Sequence, residues 1–280
     1  MELRPREFHF GDEDFNALRA LVREHTGISL SDAKRELVYG RLSRRLRVLG
    51  LESFRDYRSL LKNDPGGREI VEFCNAITTN LTSFFRESHH FDYLRDHVLR
   101  AVSSRGPGQR VRIWSAGCST GEEPYSIAMT VRESLSDVTR HDLKILATDL
   151  DSDVLARGRA GVYGQDRVKG MSAQRISTFF REKIEGGQPR YTVSPDLASM
   201  ITFKQLNLMH ELPMRGPFDV IFCRNVVIYF DKETQRGLFR RFAQLQRPGD
   251  ILFLGHSESM FKVSDDYTLV GRTIYRRNDP

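Results

Sequence analysis

The sequence predicts a doubly wound α/β domain with a small inserted β-subdomain, preceded by an all-α domain. The first 80 residues show helical spacing of apolar side chains and no strand pattern. From residue 111 onward, short apolar runs alternate with helical stretches, as in a parallel sheet. At about 162–198 this alternation is interrupted. We therefore expect a helical domain over 1–78 and a larger α/β domain over 79–280.

The composition is that of a folded protein with room for two domains: 280 residues, 39% hydrophobic and 29% charged. No apolar run is long enough to cross a bilayer, and residues 1–6 lack the apolar stretch of a signal peptide, which favours a cytoplasmic location. The three cysteines form no Cys-x-x-Cys pair, so we expect neither a disulfide framework nor a structural zinc site. The net charge of +6 suggests an acidic partner.

Four helices are expected in the helical domain. The first follows the acidic start at residues 12–14, and the second ends at Gly50. Ser53 can cap the third, the turn at 64–67 closes it, and the fourth runs over about 68–76. The apolar positions that define the first two helices are Phe15, Leu18, Leu21, Val22, Val38, Leu42, Leu46 and Leu49.

The second helix carries a basic ridge beside its apolar stripe. Its members occupy an arc of roughly 100° on a helical projection. They are Lys34, Arg41, Arg44 and Arg45. Such a ridge is either a solvated face or a docking surface for an acidic helix or a polynucleotide.

The segment at 78–87 has more polar groups than a simple linker needs, and its pair Phe84-Phe85 should anchor it in a core. It is either part of a ligand site near the domain junction or a capped helix boundary. A helix with apolar positions Phe91, Leu94, Val98 and Val102 follows. His89 and His90 point about 100° apart on that helix, so they cannot bind one metal ion together.

Residues 111–126 read as a buried strand, a loop with glycines at 117 and 121, and a helix. Ser119 and Thr120 are candidate N-caps, and Glu122 and Glu123 fall in the first helical turn. The glycine spacing fits neither the dinucleotide fingerprint nor the P-loop. Two carboxylates suit a ligand with cationic groups, such as S-adenosylmethionine, although an ordinary strand-to-helix turn would look similar.

Further strands are expected over 144–149, 202–207, 218–223, 250–255 and 267–275. The first of them ends in Asp149, where a doubly wound fold places the carboxylate that accepts ribose hydroxyls. The last two are too close for a crossover helix, so one strand should be antiparallel. Within the interruption we expect a helix over 173–183 and then a small antiparallel β-structure around 185–193.

Five motifs give the chain a resemblance to a known family. They are T-T-N-L-T-S-F-F-R-E at 78–87, S-T-G-E-E-P-Y-S-I-A at 119–128, A-T-D-L-D at 147–151, F-D-V-I-F-C-R-N-V-V-I-Y-F at 218–230 and G-H-S-E-S at 255–259. With them the chain resembles the CheR-type chemotaxis receptor methyltransferases, which methylate glutamates on bacterial chemoreceptors. The resemblance covers nearly the whole length. It implies an all-α N-terminal domain that docks receptor and a Rossmann-like methyltransferase domain with an inserted β-subdomain.

The resemblance also implies a site. The expected contacts of S-adenosylmethionine, and of its product S-adenosylhomocysteine, are Asn80, Thr82, Arg86, Glu123, Asp149, Asn207, Leu208, Arg224 and Asn225. Arg86 and Tyr229 are the expected catalytic pair near the transferring methyl, although packing would explain Tyr229 equally well. No metal is implied.

The partners implied are the cytoplasmic domains of methyl-accepting chemoreceptors, against which the basic ridge would dock. We expect a cytoplasmic monomer that is recruited to membrane receptor arrays, binds no nucleic acid and does not insert into the membrane. Whether a receptor peptide pairs with the β-subdomain near 186–187 and 191–193 is left open by the sequence.

Two other functions are compatible with parts of the sequence. An S-adenosylmethionine-dependent RNA methyltransferase would also combine a basic helical domain with this fold. Residues 223–226 read Cys-Arg-Asn-Val, however, and not the Asn/Asp-Pro-Pro-aromatic motif that stacks a flipped base. A non-catalytic sensor of the cofactor is the second alternative, and the complete set of matched ligand positions argues against it.

Overall fold

The computed structural model describes residues 6–64, 66–104, 108–135 and 137–279, with only the backbone of Thr139. The chain forms two compact units. The first comprises residues 1–79 together with Tyr229–Asp231, and the second comprises Asn80–Ile228 and the chain from Lys232 onward. The segment 229–231 therefore belongs to the helical unit although it lies far along the sequence.

The first unit is all helical, as expected. Its helices are α1 Asp12–Thr26, a 3-10 turn Asp32–Lys34, α2 Arg35–Leu49, α3 Phe54–Asn63 and α4 Arg68–Ile77. Gly27 and Gly50 end α1 and α2 in the left-handed conformation that glycine adopts freely. The Ser53 hydroxyl accepts a hydrogen bond from the Asp56 amide (3.2 Å), which confirms the predicted cap of α3. Of the predicted turn at 64–67, Pro65 lies outside the described residues.

The apolar stripes predicted for α1 and α2 face one core. Phe15, Leu18, Val38, Leu42 and Leu46 are fully buried in it. Aromatic rings from other elements complete this core, with Phe10 and Phe54 only 4.5 Å apart between ring centroids. Because α1 and α2 each bury one stripe, their opposite faces carry the charged side chains.

The second unit is built on a seven-stranded sheet in the order β6-β2-β1-β7-β8-β10-β9. Its strands are β1 Arg110–Ala116, β2 Asp142–Asp149, β6 Ile201–Gln205, β7 Val220–Cys223, β8 Ile251–Leu254, β9 Tyr267–Gly271 and β10 Ile274–Arg277. The first five are mutually parallel, and β10 is antiparallel to both of its neighbours. The prediction of a mostly parallel sheet with one antiparallel member is confirmed.

The single strand predicted over 267–275 is wrong, because the chain turns back at Gly271–Thr273 to form two strands. Thr273 adopts the left-handed conformation (φ 55°) within this tight turn. The glycine inside the apparent strand marked the position of the turn.

Helices cover the sheet. They are α5 His89–Tyr93, a π-helical turn Leu94–Leu99, α6 Arg100–Ser103, α7 Glu122–Ser134, a 3-10 turn Val138–Arg140, α8 Ser152–Ala160 and α12 Lys232–Gln244. The apolar positions predicted for the helix before β1 are correct except for one. The π-helical turn adds a residue to the repeat, so Leu99 is fully buried while Val98 is only half-buried.

The inserted subdomain is a three-stranded antiparallel sheet in the order β3-β5-β4. Its elements are β3 Val162–Gly164, α9 Gln165–Val168, α10 Ala173–Phe179, β4 Phe180–Glu185, β5 Gln188–Val193 and α11 Pro195–Ala198. The helix predicted over 173–183 therefore ends four residues early. Phe180 instead pairs with Val193 and packs its ring against Phe84 (5.6 Å between centroids), which favours the strand.

Candidate functional site

The site residues of the second unit gather where the strand order reverses. From β1 the chain moves to β2 and β6 on one side, whereas β7 and β8 lie on the other. Ligands of doubly wound sheets bind outside the carboxyl ends of the strands at this point. Asp149 is the last residue of β2, and Glu123, Asn207 and Arg224 come after the carboxyl ends of β1, β6 and β7.

The loop between β1 and α7 is held in an unusual conformation. Gly117, Ser119 and Gly121 all have positive φ (82°, 49° and 95°). A side chain at 117 would also collide with Val226, since a Cβ there would lie 2.3 Å from its Cγ2 atom. The predicted N-caps are wrong, because α7 begins after Gly121 and neither Ser119 nor Thr120 caps it.

Asp149 and Asn80 meet beside this loop. One Asp149 carboxylate oxygen accepts the Ser119 amide (2.8 Å) and the other accepts the Asp151 amide (3.0 Å). Burial raises the pKa of Asp149 to about 6, although these backbone donors act in the opposite direction. The Asn80 amide donates to Asp151 (2.7 Å), and the Asn80 carbonyl accepts the Ser119 hydroxyl (3.0 Å). The structure thus brings together two residues that the sequence separates widely.

Glu123 is tied to Arg224 in a buried charge network. The guanidinium of Arg224, whose side chain is 2% exposed, donates to Glu123 Oε2 (3.0 Å) and lies 3.3 Å from Glu87 Oε2. It also donates to the main-chain carbonyl of Arg86. Ser115 donates to the other Glu123 oxygen (2.7 Å). Burial raises the pKa of Glu123, and the charge of Arg224 partly offsets that effect.

Glu122, next to Glu123, has a different role. It is fully buried and paired with Arg167 of the inserted subdomain (Nε to Oε1, 2.9 Å). Tyr163 of β3 donates to the Thr120 carbonyl (2.7 Å). These contacts attach the inserted subdomain to the loop between β1 and α7.

Arg86 lies on a strained turn. Its neighbours Phe85 and Glu87 both have positive φ (53° and 57°), which is rare outside glycine. The half-buried Arg86 side chain donates to the Leu81 carbonyl (2.8 Å), and Thr82, between them, is also half-buried.

The second expected catalytic residue, Tyr229, belongs to the helical unit. Its carbonyl accepts the Ser29 amide there (2.8 Å). Joint action of Arg86 and Tyr229 therefore stays a prediction.

Leu208 and Asn207 are held by a residue that no sequence pattern singled out. Arg241 of α12 donates to the carbonyls of Leu208, Met209 and His210 at 2.6, 3.0 and 2.9 Å. The Asn207 side chain accepts the Met209 amide (3.0 Å). Three carbonyl acceptors on one guanidinium fix this loop in place.

Asn225 is held by the glutamate of the G-H-S-E-S motif, whose role the sequence did not predict. The buried Glu258 carboxylate accepts the amides of Gly255 (2.5 Å), Asn225 (2.9 Å) and Ile228 (3.2 Å). The burial of Glu258 and its three amide donors identify it as a structural carboxylate. Gly255 is required here, because a Cβ would lie 2.4 Å from Asn225 Nδ2.

The four members of the basic ridge are not equivalent. Arg45 is paired with Glu69 (Nε to Oε1, 2.9 Å) and with Glu72 (3.2 Å). Arg41 donates to the carbonyls of Ile77 and Thr78 and to the Thr79 hydroxyl. Arg41 and Arg45 thus have partners within their own unit, whereas Lys34 and Arg44 are exposed, and docking by these four cations stays a prediction.

The described residues also bear on metal binding, on disulfides and on membrane spans. Among those residues no group of three or more His, Cys, Asp and Glu side chains is arranged to hold a metal ion. All three cysteines are buried and free. No helix that the structure describes combines the length and the apolar composition needed to span a bilayer.

Two family models match the chain. Residues 80–276 match the S-adenosylmethionine-binding domain of the CheR methyltransferases, and residues 13–78 match the all-alpha domain of the same family. The chain belongs to the CheR methyltransferase family. The matches confirm the fold class expected from the sequence.

Several relatives of this CheR-family chain are similar over nearly their whole length. The chain is 44% identical to a probable chemotaxis protein methyltransferase of Rhizobium etli, over 91% of this chain and 96% of the relative. It is 44% identical to chemotaxis protein methyltransferase 2 of Pseudomonas aeruginosa (96% and 95% covered). It is 42% identical to the chemotaxis protein methyltransferase of Escherichia coli (94% and 90%). These relatives do not favour the RNA methyltransferase alternative.

Proposed function

We propose that this CheR-family chain transfers methyl groups from S-adenosylmethionine to glutamate side chains of chemoreceptors, forming glutamate methyl esters. The observation that carries the proposal is the pair of carboxylates, Asp149 and Glu123, at the carboxyl ends of β2 and β1 in a domain of the S-adenosylmethionine-binding family. The names of the relatives place such enzymes in chemotaxis.

The donor set fits S-adenosylmethionine. Asp149 can accept the ribose hydroxyls, and Glu123 offers negative charge to the ammonium group. The remaining proposed contacts are Asn80, Thr82, Arg86, Asn207, Leu208, Arg224 and Asn225. When bound, the cofactor supplies a methyl group on a positively charged sulfur, and S-adenosylhomocysteine is the product. No metal is part of the proposal.

For this reaction the enzyme mainly has to position the substrate carboxylate and the methyl donor. A glutamate side chain has an ordinary pKa near 4.3, so it is already an anionic nucleophile at neutral pH and needs no general base. Holding the reacting groups in line contributes roughly 7–11 kcal/mol in favourable cases. We assign to Arg86 and Tyr229 the orientation of the substrate carboxylate through a contact that leaves it nucleophilic.

The basic ridge is the proposed docking surface, and Lys34 and Arg44 are its exposed members. The partners are the acidic cytoplasmic helices of methyl-accepting chemoreceptors. In this proposal the enzyme is a cytoplasmic monomer recruited to receptor arrays, and it acts without nucleic acid or membrane insertion.

Arg86→Ala tests the proposed catalytic role. Loss of the orienting cation should lower the rate of receptor methylation by about 10²-fold, because misplaced reacting groups cost that much. The measurement is transfer of labelled methyl to receptor cytoplasmic fragments, with folding checked by thermal unfolding. Arg110→Ala, an exposed arginine at the opposite end of β1, is the matched control and should retain activity. Normal methylation by Arg86→Ala would reject the role.

A further inference from the structure

The turn that carries Arg86 is held from the side by one carboxylate. Glu87 has a side chain that is only 11% exposed, and it lies at the centre of a set of charged and polar groups. His256 Nδ1 is 2.9 Å from Glu87 Oε1, and the Arg224 guanidinium is 3.3 Å from Oε2. Asn225 Nδ2 is 3.5 Å from Oε1. The carboxylate is thus linked to two elements distant in sequence.

Glu87 is ionised throughout the working pH range. Burial alone would raise its pKa, but the hydrogen bond from His256 and the charge of Arg224 lower the pKa to about 2. The buried His90 ring, 3.6 Å away, does not share this negative charge, because burial lowers the pKa of His90 to about 3 and keeps the ring neutral. The negative charge of Glu87 is therefore paired with Arg224 and hydrogen-bonded by His256.

The backbone around Arg86 is held by Ser126 and by Arg224. The Phe85 amide donates to the Ser126 hydroxyl (3.0 Å), and the Arg86 carbonyl accepts from Arg224. Residues 85 and 87 both adopt positive φ, a conformation that is costly for non-glycine residues and persists only when the surroundings enforce it. Arg224 contacts both the carbonyl of Arg86 and the carboxylate of Glu87, so the two anchors act together.

We infer that Glu87 is a positioning residue for methyl transfer, whose carboxylate, held by Arg224 and His256, fixes the turn that presents Arg86. The inference rests on the proposed function, since it takes Arg86 as the residue that orients the substrate. Glu87 does not itself contact the reacting groups in this assignment. Its effect passes through the position of Arg86.

Two substitutions of Glu87 remove its charge in different ways. Glu87→Gln keeps the shape of the side chain and removes its charge, whereas Glu87→Gly removes the side chain and accepts the positive φ freely. Both should lower kcat for receptor methylation, by about 10–100-fold, because a misplaced group far from the chemistry can cost 10²-fold. Glu52→Gln, an exposed glutamate in the helical unit, is the control. Thermal unfolding checks that each variant is folded.

The decisive readout is a double-mutant cycle with Arg86→Ala. If Glu87 acts through Arg86, Glu87→Gln should cause no further loss in the Arg86→Ala background. A full, independent loss in that background, or wild-type kcat in either Glu87 variant, would overturn the inference. An unsubstituted enzyme that binds S-adenosylhomocysteine but methylates no receptor glutamate would instead count against the proposed function.

Discussion

Burial of the Asp149 carboxylate limits the pH range over which this group is ionised, and so bears on its proposed role as acceptor of ribose hydroxyls. The pKa of this group is raised to about 6, so it becomes protonated as the pH falls below that value. If the bound ligand requires the ionised form, its affinity should increase with pH up to about 6 and then level off. Below the pKa, the dissociation constant of S-adenosylhomocysteine should rise about tenfold for each pH unit.

Calorimetric titrations between pH 5 and 8 measure this dependence. Asp149→Asn should bind more weakly and lose the dependence, because its amide does not titrate. Asp250 is the matched control, since burial also raises its pKa to about 6 but it precedes β8 at the other end of the sheet. Asp250→Asn should keep the wild-type profile. An unchanged profile in Asp149→Asn would contradict the assignment of Asp149.

Which residues of the site could be predicted depends on where their partners lie in the sequence. Glu123 and Asp149 each follow a recognisable strand, so their position at the sheet edge could be predicted directly. Glu87 could not be, because its partners Arg224 and His256 come more than 100 residues later and are brought to it only by the fold. The ligand contacts beyond the two carboxylates came from the family resemblance.

At the scale of elements, the loop after β7 depends on Glu258. Three amides of the loop and its surroundings donate to this buried carboxylate. Glu258→Gln should destabilise the protein by about 1–3 kcal/mol, because the amide substitute leaves at least one buried donor unpaired. It should also weaken S-adenosylhomocysteine binding, since Asn225 would lose its anchor.

Urea unfolding and calorimetry measure these two effects. Glu233→Gln, on the exposed side of α12, should leave both unchanged. If Glu258→Gln were as stable as the wild type, the carboxylate would not be holding the loop.

Helices and parallel strands could be predicted because the spacing of apolar residues within each short stretch indicates them. The predictions failed where a tertiary contact or a tight turn overrode the local pattern. Phe180 leaves the helix predicted over 173–183 to pack against Phe84, and the π-helical turn exchanges Val98 for Leu99 in the core. Neither change has a signal that can be read from neighbouring residues alone.

At the scale of the whole molecule, the basic ridge of the helical unit bears on the proposed encounter with the receptor. The sequence suggested four docking cations, and two of them, Arg41 and Arg45, also donate to a carbonyl or carboxylate of their own unit. Counting charges along a helix cannot show which of them are already paired. The exposed Lys34 and Arg44 remain for a partner.

Reversal of these two charges in Lys34→Glu/Arg44→Glu should raise the KM for receptor and leave S-adenosylhomocysteine binding unchanged. Complementary charge speeds encounter, so the defect should be largest at low ionic strength and diminish as salt is added. Steady-state methylation at several salt concentrations measures it. Arg55→Glu, an exposed reversal on α3, is the control and should have a smaller effect. A wild-type KM in the double variant at low salt would mean that the ridge is only a solvated surface.

We propose above that this chain makes glutamate methyl esters on chemoreceptors. The most direct test is incubation of the purified protein with labelled S-adenosylmethionine and receptor cytoplasmic fragments, followed by peptide mass spectrometry before and after mild alkali. We expect methyl groups on receptor glutamates, and we expect mild alkali to remove them. Label that resists alkali, that appears only on added RNA, or that is absent although S-adenosylhomocysteine binds would contradict it.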